Sequence, residues 1–473
     1  MKKYILILAA ALTALFESAT AQFPAQNISL LSIWDDSANV MPEPVYGIRY
    51  QGCTGWVDTS NGREYAAIGS SRPGTYIIEV TNPTAPVLRQ YIPGLGNANK
   101  SIWHEYQTYG KYLYIVSDDG GPNSFQIADM SYLPDSVHLV LNDSSIFKRS
   151  HTIFIDGDKL YGGSVSGPAS QYASMAVFSL ANPSSPQRLR NLNDDYPAIS
   201  TVHDMFVRHD TVYASCGTQG LYIYKFNSNN TFTQLGNLPN PSGNYNHSSF
   251  LNDDGTVLIN CDEVPAGIPV RLVDVTDVTN PGTYTTFVSN VGATPHNPYI
   301  KNGKAVIAYY QDGVQIFNID NPLSPARIGY FDTHPQNISG YQNPAYQGAW
   351  GAYVNLPSGV LLVSDMQLGL FVLDTDTLLT SSSSTNEKDK VTLSLYPNPS
   401  AKNIFIHCES AQEFSAVVSV VDVQGRKVAG FNENIKRGSN QLKMDVSSYP
   451  PGIYAVVISG SQRIILSRKF IKN

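Results

Sequence analysis

Nine histidines are spread over 473 residues, and five of them recur at a near-constant interval. His104, His151, His203, His247 and His296 each open the same pattern: an apolar strand, a short polar turn and a second apolar strand. Trp56 and Trp350 open two weaker copies, and from Trp56 onward the steps are 48, 47, 52, 44, 49 and 54 residues. If every anchor stands at the start of an equivalent strand, the imidazoles gather around one opening with the two indoles beside them. Carboxylates accompany them. Glu105 and Asp204 directly follow two of the histidines, and Asp118, Asp119, Asp262, Glu263, Asp312 and Asp365 fall in loops expected on the same side. Imidazole with carboxylate suits Zn²⁺ or another first-row transition metal, whereas carboxylate alone suits Ca²⁺. The expected metal ligands are His104, His151, His203, His247, His296 and Asp204. The expected ligand-binding face is Trp56, Trp350, Glu105, Asp118, Asp312 and Asp365. The pattern also has a purely structural explanation, in which each imidazole bonds the backbone of the neighbouring repeat. No HExxH or CxxC motif adds an independent metal signal.

The elements that would position these residues form a repeat of about fifty residues. After the first two strands come a third strand and a Pro-rich turn, as in Thr75 to Pro86, Ala176 to Pro186 and Val314 to Pro325. Asn followed by Pro starts a turn, because the Asn side chain bonds nearby backbone while Pro fixes φ. A fourth strand follows, as in Ala326 to Phe331. Four strands per repeat, seven times, predict an all-β fold: a seven-bladed β-propeller over residues 22–377. A solenoid would need capped ends, and none is visible. The seventh copy runs out after Leu370 to Asp374, while Ile28 to Trp34 stands alone before the first. Docking that orphan as the missing outer strand would close the ring and cover an edge. The apolar strand followed by NPxxP resembles the LVIVD repeat, and the whole body resembles the choice-of-anchor B family of secreted bacterial propellers. That resemblance implies one propeller joined to a C-terminal anchor, and no particular activity.

The two ends of the chain concern export. Residues 1–21 read as a signal peptide: Lys2 and Lys3, then the apolar run from Tyr4 to Phe16, then Ala19-Thr20-Ala21. At the other end a polar linker, 378–390, leads into residues 391–473, whose alternating pattern predicts a small β-sandwich. Leu393-Ser-Leu-Tyr-Pro-Asn-Pro-Ser400, the D-x-x-G-R at Asp422 to Arg426, Pro451-Gly-Ile-Tyr454 and the terminal Arg468-Lys-Phe-Ile-Lys-Asn473 closely resemble the C-terminal sorting domain of the bacterial type IX secretion system. The resemblance implies Sec export, passage through the outer membrane by the type IX machinery, and removal of this domain, often with attachment to surface lipopolysaccharide. The expected location is secreted or on the outer cell surface. No other run approaches the roughly 20 apolar residues of a helical span, so no transmembrane segment is expected in the mature protein.

Charge separates the two parts. Residues 391–473 carry ten Lys/Arg and five Asp/Glu, whereas residues 22–390 carry 19 Lys/Arg and 32 Asp/Glu. So acidic a body disfavours nucleic acid and suits cations or neutral ligands. Four cysteines are too few for a disulfide framework, and Cys216 and Cys261, at matching positions in adjacent repeats, could be bridged or simply buried. The expected function is a binding module with an unknown extracellular ligand. The rival is a metal-assisted hydrolase or lyase acting on an extracellular polymer at the histidine-ringed opening.

Overall fold

The structure, a computed structural model, describes residues 23–96, 101–167, 171–336, 346–376, 378–379, 391–410, 413–422, 426–459 and 464–473. It divides into two compact units, residues 1–380 and 381–473.

Among the described residues the first unit is built of seven antiparallel sheets. Their innermost strands are Tyr50–Asp58, Glu105–Tyr109, Ile153–Asp156, Asp204–Arg208, Tyr245–Leu251, Pro298–Lys301 and Ala349–Tyr353. The first six sheets run outward in chain order to a fourth strand such as the exposed Val87–Pro93 or His138–Asp143. The Asn-Pro turns leading to those strands are held as the chemistry requires. Asn82 Oδ1 accepts the Thr84 hydroxyl, Asn182 Oδ1 the Ser184 hydroxyl, and Asn321 Oδ1 the Leu323 N–H.

Period-two alternation gives each sheet two apolar faces, and each neighbouring pair shares a buried cluster. Tyr65, Ile77 and Ile92 of the first sheet pack on Leu113 and Ala128 of the second. The series continues around to the seventh sheet, whose Leu362, Leu370 and Val372 pack on Ile68, Tyr76 and Ile78 of the first. The ring is therefore closed, which gives a propeller-like all-β body. Its last sheet takes its outer strand from the other end of the chain: Ser29–Trp34 pairs antiparallel with Gly369–Asp374, Trp34 opposite Leu370. Ala25–Gln26 adds a short fifth strand to the sixth sheet, which the sequence pattern did not reveal.

Among the described residues the second unit holds two antiparallel sheets. One contains Val391–Tyr396, Asn403–Ser410 and Gly438–Asp445; the other contains Phe414–Asp422, Lys427–Ile435, Gly452–Ser459 and Ile464–Lys472. Ile404, Ile406 and Cys408 of the first share one apolar cluster with Val418, Val420, Val456, Ile458 and Phe470 of the second. All four cysteines are buried free thiols, so Cys216 and Cys261 form no bridge.

Candidate functional site

The anchor residues stand just before their strands, or in a bulge of them, and so escape the strict alternation of a strand. Four imidazoles form an arc at one mouth of the central channel. Ring centroids are 4.0 Å apart for His151 and His203, 4.2 Å for His203 and His247, and 4.4 Å for His247 and His296. Trp350 closes the arc 5.0 Å from His296. The arc lines a cavity of about 230 Å³ that Trp103, Tyr245, Tyr310 and Tyr346 also wall.

Backbone carbonyls of the next sheet orient the rings. His203 Nδ1 donates to His247 O at 3.2 Å, and His296 Nδ1 donates to Trp350 O at 2.5 Å. A carbonyl only accepts, so Nδ1 carries the proton and Nε2 keeps a free lone pair. Burial, reinforced by the neighbouring imidazoles, holds His203 and His247 well below the usual histidine range, and burial takes His296 down to about 3. These three rings are neutral near pH 7. Burial also disfavours a charge on His151, but the Asp118 carboxylate at 2.6 Å overrides it and raises that imidazole to about 9.

Glu263 completes the mouth. The second strand of the fifth sheet runs on to Val264 while the first strand bulges at His247, so Asp262 and Glu263 fall on opposite sides. Asp262 pairs with Arg271 at 3.0 Å. Glu263 turns to the channel, 3.9 Å from His247 Nε2, and its other oxygen accepts the Tyr310 hydroxyl at 2.6 Å. Burial raises its carboxyl above the ordinary value. One donor atom each from His203, His247 and Glu263 lie within 4.8 Å of one another.

Several expected site residues lie elsewhere. Trp56 sits at the far end of its long strand, where Nε1 donates to Gly110 O and the ring packs on Tyr65. Gln51 takes the anchor position of the first sheet instead. The residue after the anchor reaches the next anchor's carbonyl, as Thr152 does to His203 O and Ser248 to His296 O, and Gly52 abuts His104 O in the same way. His104 is drawn away from the mouth: its Nδ1 meets Gln51 Oε1 at 2.7 Å and Ser101 Oγ at 3.1 Å. Asp312 accepts the Asn290 amide on both of its carboxylate oxygens, and Asp365 Oδ1 accepts the N–H groups of Gln367 and Leu368 in its own turn. These two aspartates brace loops. Only Asp118 of the expected loop carboxylates, with Glu263, reaches the mouth.

Glu105 and Asp204 follow the anchors by one residue and face a second chamber deeper in the channel. Trp350 divides the two spaces: its ring lines the mouth and its Nε1 donates to Glu105 Oε1 at 2.8 Å. Burial raises Glu105 to about 7, and burial raises Asp204 to about 6. Gln51, Trp103 and the three mouth tyrosines had no signal in the histidine spacing, because Gln51 is a non-histidine anchor, Trp103 and Tyr346 come from loops between sheets, Tyr310 from a loop within the sixth sheet and Tyr245 from a strand start two residues before its anchor.

Residues 394–473 match the family model of the secretion system C-terminal sorting domain. The protein is therefore secreted or displayed on the outer cell surface, and its C-terminal unit is what the secretion machinery engages. Among the described residues no helix is long and apolar enough to cross a membrane. No curated protein matches the chain in sequence. Similar solved structures include PorZ, an essential surface component of the type IX secretion system of Porphyromonas gingivalis, at 12% identity and a TM-score of 0.47. That match covers 92% of this chain but 61% of the PorZ chain, so this chain spans less than two thirds of its length. The WD40 β-propeller domain of Doa1 matches at 11% identity and a TM-score of 0.48, over 75% of this chain and 98% of that one.

Proposed function

We propose that this protein is an extracellular binding module, a seven-bladed propeller of the choice-of-anchor B type built from LVIVD-like repeats. In this reading it is exported by Sec and then by the type IX system through a C-terminal β-sandwich. It takes its ligand at the histidine mouth through a divalent transition metal held by His203, His247 and Glu263. The observation that carries the reading is the convergence of those three donors, within 4.8 Å of one another, on the wall of an aromatic-lined cavity. Two imidazole nitrogens and one carboxylate favour Zn²⁺ over Ca²⁺, which prefers an all-oxygen shell. Zn²⁺ bonded at about 2.0–2.2 Å to each donor requires them to draw together by roughly an ångström. The carbonyl-bonded Nδ1 of His203 and the Tyr310 hydroxyl on Glu263 supply the outer contacts that orient such ligands. Such an ion keeps at least one position open to the cavity, where an oxygen or nitrogen of the ligand would bind.

The test is the metal content of the purified full chain after dialysis against Zn²⁺, beside His203→Ala and Glu263→Ala. One equivalent retained by the parent and lost in both variants supports the reading. A parent that retains none, or variants that retain as much, removes it.

A further inference from the structure

Below the arc, the channel widens into a chamber of about 250 Å³ that has a different chemistry. It runs along the innermost strands, from Glu105 to Thr108 and from Gly351 to the exposed Asn355. Its inner end carries the Glu105 and Asp204 carboxylates together with Thr152 and Asn297, and among the described residues no lysine or arginine lines it. Glu105 Oε1 is taken by the Trp350 indole, and the absence of a side chain at Gly52 makes room for the other oxygen. A Cβ there would stand 2.8 Å from Glu105 Oε2. Two residues further along each strand the wall becomes aromatic. Phe154, Phe250, Tyr299 and Tyr353 line it, Phe250 and Tyr299 at a centroid distance of 5.0 Å and Tyr299 and Tyr353 at 6.4 Å, while Phe206 links Phe154 to Phe250 at 5.1 and 4.7 Å without lining the chamber itself.

We infer that this chamber binds an alkylammonium group, its charge on Glu105 and Asp204 and its carbon substituents against the aromatic arc. Carboxylates withdrawn from water gain most from a cation that brings its own charge into the enclosure. A metal ion of the hard class would need oxygens on every side, and the aromatic arc offers few. An ammonium carrying methyl or methylene groups matches both walls, because aromatic faces attract such cations while remaining in apolar contact with the carbon. Free quaternary or primary amines and the lysine side chain of another protein share this chemistry.

The experiment is calorimetric titration of the purified full chain, in alkaline buffer, with four probes. They are choline, the neutral isostere of choline in which carbon replaces nitrogen, Nα-acetyl-lysine methylamide, and Ca²⁺. Choline, the lysine derivative or both are expected to bind, and the isostere is not; the stronger of the two names the source. Glu105→Gln is expected to weaken binding by about tenfold or more, and Phe250→Ala by about threefold or more. Gln107→Lys, which places a tethered ammonium on the chamber wall without touching the carboxylates, is expected to abolish it. Equal binding of the isostere, no binding of either cation, or wild-type affinity in Gln107→Lys overturns the inference. So does Ca²⁺ that displaces the amine and keeps its affinity in Phe250→Ala.

Discussion

The mouth and the chamber are built by the same innermost strands, and both carry carboxylates and aromatic rings, yet only the mouth presents imidazoles. The offset between them is one residue. An anchor such as His203 or His247 lies outside the regular part of its strand and leans over the opening, held by the next sheet's carbonyl or wedged between its neighbours. The following residue, Asp204 or Thr152, begins the alternation, and its side chain points down the channel with the residue two positions later. Repetition around the ring turns each position into a layer. The chemistry of a layer is therefore set by which register position varies, and the two layers can specialise independently.

Mouth and chamber share one support, the closed ring. Deleting residues 23–34 strips the outer strand from the seventh sheet and uncovers its edge. The expected loss is several kcal/mol in a urea titration, with mouth and chamber failing together. An unchanged midpoint would mean that the ring does not depend on that pairing.

A second change separates the layers. His203→Ala is expected to lower Zn²⁺ affinity by about 100-fold or more in a competition titration with a chromophoric chelator, while amine binding in the chamber is retained. Loss of both would make the two layers one site.

The third divides the mouth itself. His296→Ala leaves the Trp350 carbonyl without its buried donor and is expected to cost about 1–3 kcal/mol in melting experiments, with Zn²⁺ affinity kept. An equal loss of metal would extend the ligand set along the arc.

The smallest effect is a pH dependence in the chamber. Glu105 is raised from 4.5 to about 7 by burial, opposed by the Trp350 indole bond and by His151, with Asp204 and Asp118 adding to the rise. Between those values the folded protein holds a proton that the unfolded chain has released. The stability contributed by this group is thus full below 4.5 and declines as pH rises toward about 7. Glu105→Gln is expected to flatten the fall in melting midpoint across that window, and an identical profile would place the carboxyl in ordinary solvent.

Much of this arrangement is visible in the amino-acid pattern, for physical reasons that also explain where the pattern misleads. Strand alternation and Asn-Pro turns recur because every sheet solves the same packing problem, so the repeat survives large changes of residue. Histidine is rare enough in this chain for its spacing to mark a mouth. Trp56 misleads because its strand is longer than the others and carries the indole past the channel to the far end. Gln51 is hidden because it fills an anchor position without being histidine. Glu105 and Asp204 look like partners of the imidazoles beside them in sequence, but alternation sends them to the other layer. Asp262 and Glu263 look equivalent, and only the run-on of their strand past the bulge at His247 distinguishes the one bound to Arg271 from the one facing the channel.

The proposed metal ligands at the mouth are His203, His247 and Glu263. Anomalous diffraction at the zinc absorption edge, from crystals of the full protein grown with Zn²⁺, tests them most directly. A strong anomalous peak is expected, bonded to Nε2 of His203, Nε2 of His247 and a Glu263 oxygen, with Tyr310 still on the other oxygen. A mouth without that peak, in crystals whose Zn²⁺ sits at other residues or nowhere, would contradict that assignment.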